Sequence, residues 1–83
     1  MEQKIKQDIQ IGINIRKIRK KRQIGQTDLV RLLQIEGCDM TRERLVKIER
    51  CVQHIQASQL RAIKKALDTT YDVLIDGIEE ETQ

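Results

Sequence analysis

The chain has 83 residues, which is room for one small domain. Its 35% charged residues, single tyrosine and lack of proline are typical of amphipathic helices with solvated outer faces. A core this thin argues against an enzyme with a deep pocket. No apolar run approaches the roughly 20 residues of a membrane span, and the N-terminus does not resemble a secretory signal. We therefore expect a cytoplasmic protein.

The charges are distributed unevenly along the chain. All 16 basic residues lie at or before Lys65. The charged residues that follow it are all acidic: Asp68, Asp72, Asp76, Glu79, Glu80 and Glu81. A basic front suits a polyanion, and an acidic tail keeps the other side away from it. An ordinary helical protein with charged faces would show the same pattern, so charge alone leaves both interpretations open.

Isoleucines at helical spacing predict a first helix from about Asp8 to Lys21. They are Ile5, Ile9, Ile11, Ile15 and Ile18. The basic last turn suits the negative end of the helix dipole, and Gly25 is expected to stop the helix and form a tight turn. We interpret the basic run Arg16–Arg22 as a solvated helix end with some phosphate contact rather than a membrane anchor.

A second helix is predicted from Gln26 to Leu33, with Asp28 favoured in its first turn. Its inward-facing positions are expected to be Leu29, Leu32 and Leu33. The stretch Gln34–Met40 interrupts the apolar pattern, and Gly37 is expected to adopt a left-handed conformation there.

Thr41 is a favourable N-cap for a third helix, from Arg42 to about Cys51. Leu45 and Ile48 are predicted to face the core. The remaining surface of this helix is polar: Arg42, Glu43, Arg44, Lys47 and Arg50.

A loop at Val52–Gln56 leads to a fourth helix, Ala57–Leu67. Thr70 is expected to cap a last short helix, Tyr71–Asp76. The predicted core positions of these two helices are Leu60, Ile63, Leu67 and Leu74. We divide the chain into an N-terminal extension (1–8), one domain (9–76) and an acidic tail (77–83) whose end, Glu79–Gln83, is expected to be frayed.

Two short helices joined by a glycine-containing turn, the second with a polar outer face, are the parts of a helix-turn-helix. A lone helix fits the major groove, and its first turn reaches base edges. Arg42 can pair bidentately with guanine, and Glu43 can accept from cytosine.

One ordered set of residues extends over about positions 9–76: Ile11-Gly12, Ile15-Arg16, Arg19, Gln26-Thr27-Asp28-Leu29-Val30, Ile48-Glu49, Leu60, Ile63, Leu67 and Tyr71-Asp72-Val73-Leu74. This set resembles the lambda-repressor/Cro-like family, also called xenobiotic-response-element type. The resemblance implies an all-α, compact five-helix domain that binds a palindromic operator as a homodimer and represses transcription. It implies that Thr41–Arg50 enters the major groove.

The resemblance also implies roles for individual residues. Arg42, Glu43 and Lys47 would read bases, and Arg44 and Arg50 would touch the backbone or flanking bases. Gln26 would hold a phosphate. Apart from the resemblance, Gln53 can hydrogen-bond a phosphate, and we interpret Thr27 and Thr41 as helix-start residues within reach of phosphate rather than as base readers. Arg19 would pair with Glu49 beneath the third helix as a structural ion pair.

The chain departs from the compact members of this family in two respects. The turn between helices two and three is about five residues longer and resembles a subgroup in which Lys47-Ile48-Glu49 is typical. Gln53 stands where that subgroup commonly has a basic residue, so it adds no charge. Glu43 would repel phosphate unless it accepts from a base.

No metal site or cofactor is expected. Cys38 and Cys51 lie in no C-x-x-C pattern and have one histidine, His54, near them, whereas zinc needs about four ligands. We expect reduced thiols, with Cys51 a partly buried small residue rather than a redox sensor, and His54 in contact with phosphate or water.

Nothing resembles a nucleophile with its base, so an enzyme is not expected. Two functions remain: an operator-binding regulator, and a protein-interaction module such as an antitoxin that binds a partner. A homodimer is expected because one module makes few DNA contacts. Its interface would be the C-terminal helix, with Tyr71, Val73 and Ile75, or the N-terminal isoleucines.

Overall fold

In the computed structural model, which describes residues 6–80, every regular element is a helix. The five helices are α1 (Lys6–Lys21), α2 (Gln26–Ile35), α3 (Arg42–Glu49), α4 (Ala57–Ala66) and α5 (Tyr71–Asp76). The all-α prediction is therefore confirmed over the described residues. None of these helices is both long and apolar enough to cross a bilayer.

Two helices organise the packing. Helix α1 packs against α3 and α5, while α2 packs against α3 and α4. The fully buried side chains come from all five helices and from two positions next to them: Ile15, Leu29, Leu33, Met40, Leu45, Ile48, Ile63, Leu67 and Leu74. The burial of Met40 anchors the long connection between α2 and α3. The prediction that Leu32 faces inward is wrong, because its side chain is 37% exposed.

Four helices end with the same backbone motif, in which the second residue after the helix is left-handed. These residues are Gln23 (φ 58°), Gly37 (φ 83°), Cys51 (φ 64°) and Asp68 (φ 51°). In each case two amides beyond the helix bond back to its last turn. The prediction for Gly37 is confirmed. The prediction that Gly25 stops α1 is wrong, since α1 ends through Gln23 and Gly25 is instead the N-cap of α2, with φ −74°.

The same motif shortens α3 by two residues relative to the prediction. The Cys51 amide donates to the Ile48 carbonyl and the Val52 amide donates to the Lys47 carbonyl, both at 3.0 Å. These bonds satisfy carbonyls that a longer helix would have used, so α3 ends at Glu49.

Both predicted threonine caps are confirmed. The Thr41 hydroxyl accepts from the Arg44 amide at 3.1 Å, and the Thr70 hydroxyl accepts from the Val73 amide at 3.3 Å. Each bond satisfies one of the free amides of a first helical turn.

The acidic tail differs from its predicted form. Glu80 accepts hydrogen bonds from Arg22 and Thr69, so the expectation of a frayed end is wrong at this residue. The rest of the tail, 81–83, and the N-terminal residues 1–5 lie outside the described residues.

Candidate nucleic-acid interface

A buried ion pair fixes α3 on the rest of the domain. Arg19 Nε lies 2.7 Å from Glu49 Oε2, and Arg19 Nη2 lies 2.9 Å from Glu49 Oε1. The two side chains are only 9% and 2% exposed. Arg19 Nη1 also donates to the Ile24 carbonyl at 2.9 Å. Two parallel hydrogen bonds between a guanidinium and a carboxylate restrict orientation as well as distance, so the pair holds α3 in one position relative to α1.

Gln26, the first residue of α2, joins the same network. The Gln26 side-chain nitrogen Nε2 donates to Glu49 Oε1 at 3.2 Å. This bond links the start of α2 to the end of α3. Gly25 precedes it and provides no side-chain cap, and Thr27 follows it with an exposed side chain. The first-turn amides of α2 therefore lie at an uncapped, solvent-facing helix start.

One side of α3 carries a stripe of solvent-facing residues, which we call the α3 face. It consists of Arg42, Glu43, Val46, Lys47 and Arg50, which line one shallow groove. The four charged members are exposed, and Val46 is half-buried. Their spacing of three and four residues places them on one side of a helix.

A second groove continues the α3 face towards α1 and α2. It is lined by Arg16, Gln26, Val46, Glu49 and Arg50. Arg16 is exposed. The sequence predicted some phosphate contact for the basic run Arg16–Arg22 as a whole, but did not assign Arg16 individually to the binding site. A local signal does exist, because Arg16 precedes Arg19 by three residues and therefore shares its side of α1.

Not every predicted site residue belongs to this surface. The Arg44 guanidinium donates to the Asp39 carbonyl at 3.3 Å. The Arg44 side chain lines a different groove, of about 410 Å³, together with α4 residues such as Gln59 and Lys65. Gln53 is half-buried in the loop after α3. The structure thus brings together Arg42, Glu43, Lys47 and Arg50 on the α3 face, with Gln26 beside them.

The described part of the chain offers no cluster of three or more histidine, cysteine, aspartate or glutamate residues that could hold a metal. Cys38 and Cys51 are both thiols. Burial raises the pKa of the Cys38 thiol, and the neighbouring Asp39 adds to that effect. A raised pKa reduces the thiolate fraction and with it the nucleophilicity of this group.

The predicted dimer interface on α5 needs correction at one residue. Val73 is only 7% exposed and packs in the core of this chain, so it leaves little surface for a partner. Tyr71 is 38% exposed, and the Lys64 ammonium lies 5.0 Å from its ring centroid. Ile75 is half-buried. The side chains of Ile5 and Ile9 lie outside the described residues.

Comparisons with family models, with curated proteins and with solved structures gave no match to this chain.

Proposed function

We propose that this chain is a sequence-specific double-stranded DNA-binding regulator of the lambda-repressor/Cro-like type. In this proposal α2 and α3 form the helix-turn-helix, and Thr41–Arg50 enters the major groove. The observation that carries the proposal is the α3 face, which presents four exposed charged side chains along one side of a short helix. The buried Arg19–Glu49 ion pair fixes the position of that helix on the domain. A groove-reading helix needs that combination of an exposed polar side and a rigid base.

Three charged residues of the α3 face have functional groups that complement groups in the major groove. Arg42, in the first turn, has the donor geometry for a guanine edge. Lys47, about one turn further along, donates to guanine or to phosphate. Glu43 accepts from cytosine, and this contact offsets its repulsion by the phosphate backbone.

Phosphates flank the groove, and the surroundings of the α3 face suit them. Arg16 and Arg50 line one groove with Gln26, next to the uncapped start of α2. Positive side chains and free helix amides are both favourable to phosphate. Thr27, Thr41, Arg44 and Gln53 are proposed as outer contacts. These contacts position the protein and do not read sequence.

The proposal includes a homodimer on a palindromic operator, acting in the cytoplasm as a repressor and needing no metal, cofactor or catalytic step. One helix of this length reads a short site, and two copies on one face of the duplex double the contacts. A repressor of this kind acts by occupying its operator.

The competing function is a protein-interaction module such as an antitoxin. One observation favours it: Ile35 is 74% exposed, and Leu32, one turn earlier on α2, is 37% exposed. An apolar pair on an outer helix face is a surface that a protein partner would cover.

Selection of bound sequences from a random duplex pool separates the two functions. We expect the wild-type chain to enrich a palindromic motif. Arg42→Ala and Lys47→Ala should each lose preference at a different base pair, by about 1–3 kcal/mol. Arg61→Ala is the matched control, because Arg61 is an exposed basic residue of α4 outside the α3 face. Enrichment of no sequence would refute the proposal and direct the search to protein partners.

A further inference from the structure

Val46 is the one apolar member of the α3 face. The core-facing side of α3 is already filled by Leu45, which is fully buried, and by Ile48, which is 2% exposed. Val46 is half-buried. It is therefore neither a full member of the core nor fully exposed like the charged residues of the α3 face. Its position therefore has no explanation in core packing alone.

Val46 also occupies the centre of the surface. It lines both grooves of that surface, the one bounded by Arg42 and Lys47 and the one bounded by Arg16 and Gln26. Val46 is four positions from Arg42 on one side and four from Arg50 on the other, which is about 6 Å along the helix axis in each direction. An apolar, β-branched side chain is thus framed by cations that would contact bases and phosphates.

The major groove offers one apolar group, the C5-methyl of thymine. A charged head group gains little from contact with that methyl, whereas an isopropyl group gains free energy by removing it from water. We propose that Val46 is a specificity-determining residue that selects a thymine by contact with its methyl group. The inference rests on the proposed function, since it requires α3 to lie in the major groove.

The stiffness of valine supports this role. A β-branched side chain in a helix is held in one strongly preferred rotamer, so Val46 presents its methyl groups in a fixed direction with little entropy left to lose. A longer apolar side chain would reach further but would have to be ordered on binding.

The test replaces thymine by deoxyuridine, which lacks only the methyl group and keeps the same base pairing. Each thymine of the selected operator is replaced singly in one half-site, and binding is measured for the wild type, Val46→Ala and Val52→Ala. Val52 is the matched control: a valine that is 58% exposed in the loop after α3 and outside the α3 face. Circular dichroism melting verifies that each variant is folded.

We expect one thymine at which deoxyuridine weakens wild-type binding about fourfold, the ratio that corresponds to one buried methyl-sized group. Val46→Ala should reduce this ratio to near one, and Val52→Ala should leave it at the wild-type value. The inference is overturned if no replacement weakens wild-type binding, if the motif contains no thymine, or if Val46→Ala leaves the ratio unchanged. In each of these cases the operator still binds and the proposed function stands. A chain that selects no operator overturns both.

Discussion

Glu80 binds Arg22 across 58 residues of sequence, with Arg22 Nη2 2.6 Å from Glu80 Oε2. The same guanidinium donates to the carbonyls of Leu67 and Asp68 at the end of α4, at 2.9 and 3.1 Å. Lys21 Nζ lies 3.2 Å from the other carboxylate oxygen. The C-terminal segment, the end of α1 and the end of α4 are therefore held together at one point.

Removing the charge of Glu80 should weaken this junction. We expect Glu80→Gln to lower the free energy of unfolding by up to about 1 kcal/mol, because the pair is only partly shielded from solvent, and to lower Tm by a few degrees. Thermal unfolding at neutral pH measures the effect. Glu79→Gln is the control, since Glu79 is an exposed neighbour; an equal loss in both variants would contradict a specific role for Glu80.

The same junction gives a defined pH dependence. The hydrogen bond from Arg22, followed by those from Thr69 and Lys21, lowers the pKa of Glu80 from 4.5 to about 2. Because this pKa is lower in the folded than in the unfolded chain, the stabilisation is complete above about pH 4.5 and is lost as the pH falls towards 2. The stability difference between wild type and Glu80→Gln should therefore be constant near neutral pH and disappear over that acidic interval. Urea unfolding at several pH values checks this, and a difference that persists at pH 2 would contradict it.

Breaking the Arg19–Glu49 pair should cost far more than the Glu80 junction. Arg19→Met or Glu49→Leu strands one buried charge, and each should lower the free energy of unfolding by about 3–5 kcal/mol. The double variant should recover part of this loss, since neither charge remains. Lys20→Met, at an exposed neighbour, is the control and should change stability by less than about 0.5 kcal/mol. Denaturant unfolding gives all four values, and strictly additive losses would rule out the predicted coupling.

The crossing of α1 over α3 depends on Gly12. A Cβ at this position would clash with the Ile48 carbonyl oxygen and lie 3.1 Å from Cys51 Sγ. We expect Gly12→Ala to force the two helices apart and to destabilise the fold by about 1–3 kcal/mol. Gly25→Ala is the control, because its Cβ would meet only Asp28 Oδ2, at an ordinary 3.7 Å. Comparable Tm values for the two variants would show that α1 and α3 tolerate the added methyl.

On the proposed function, Arg16 should contribute affinity without sequence preference. Arg16→Ala should weaken binding to all duplexes similarly and reduce the slope of log K against log salt concentration by about one. Arg42→Ala provides the contrast, with a loss confined to one base pair. Titrations at several salt concentrations distinguish the two. A change in base preference with an unchanged salt slope in Arg16→Ala would instead identify it as a reader.

The helices could be predicted from the sequence because most of them carry a clear local signal. The periodic isoleucines, the caps at Thr41 and Thr70 and the left-handed Gly37 all depend on residues near each other in sequence. The expectation that Arg19 and Glu49 meet came from a family resemblance, not from spacing, and the structure joins them directly.

Some of the features that sequence reasoning missed depend on contacts between distant residues. Gln23 and Cys51 adopt left-handed conformations that their residue types disfavour, and the backbone hydrogen bonds at the ends of α1 and α3 hold them there. The contact between Glu80 and Arg22 arises because the fold brings the two residues together, and no sequence motif predicts it. The groove that joins the α3 face to α1 and α2 likewise depends on where the fold places Arg16, which no spacing within α3 predicts.

The early end of α3 limits how much one copy of the chain can recognise. Eight residues form a helix about 12 Å long, and base pairs follow each other every 3.4 Å or so. One copy therefore spans about four base pairs, and a given four-base-pair sequence recurs by chance roughly thousands to millions of times among the roughly 10⁶–10⁹ competing sites of a genome. If α3 reads DNA, much of the information that identifies a site must come from the distance between two such four-base-pair sequences. That distance is set by how two copies of the chain are arranged relative to each other.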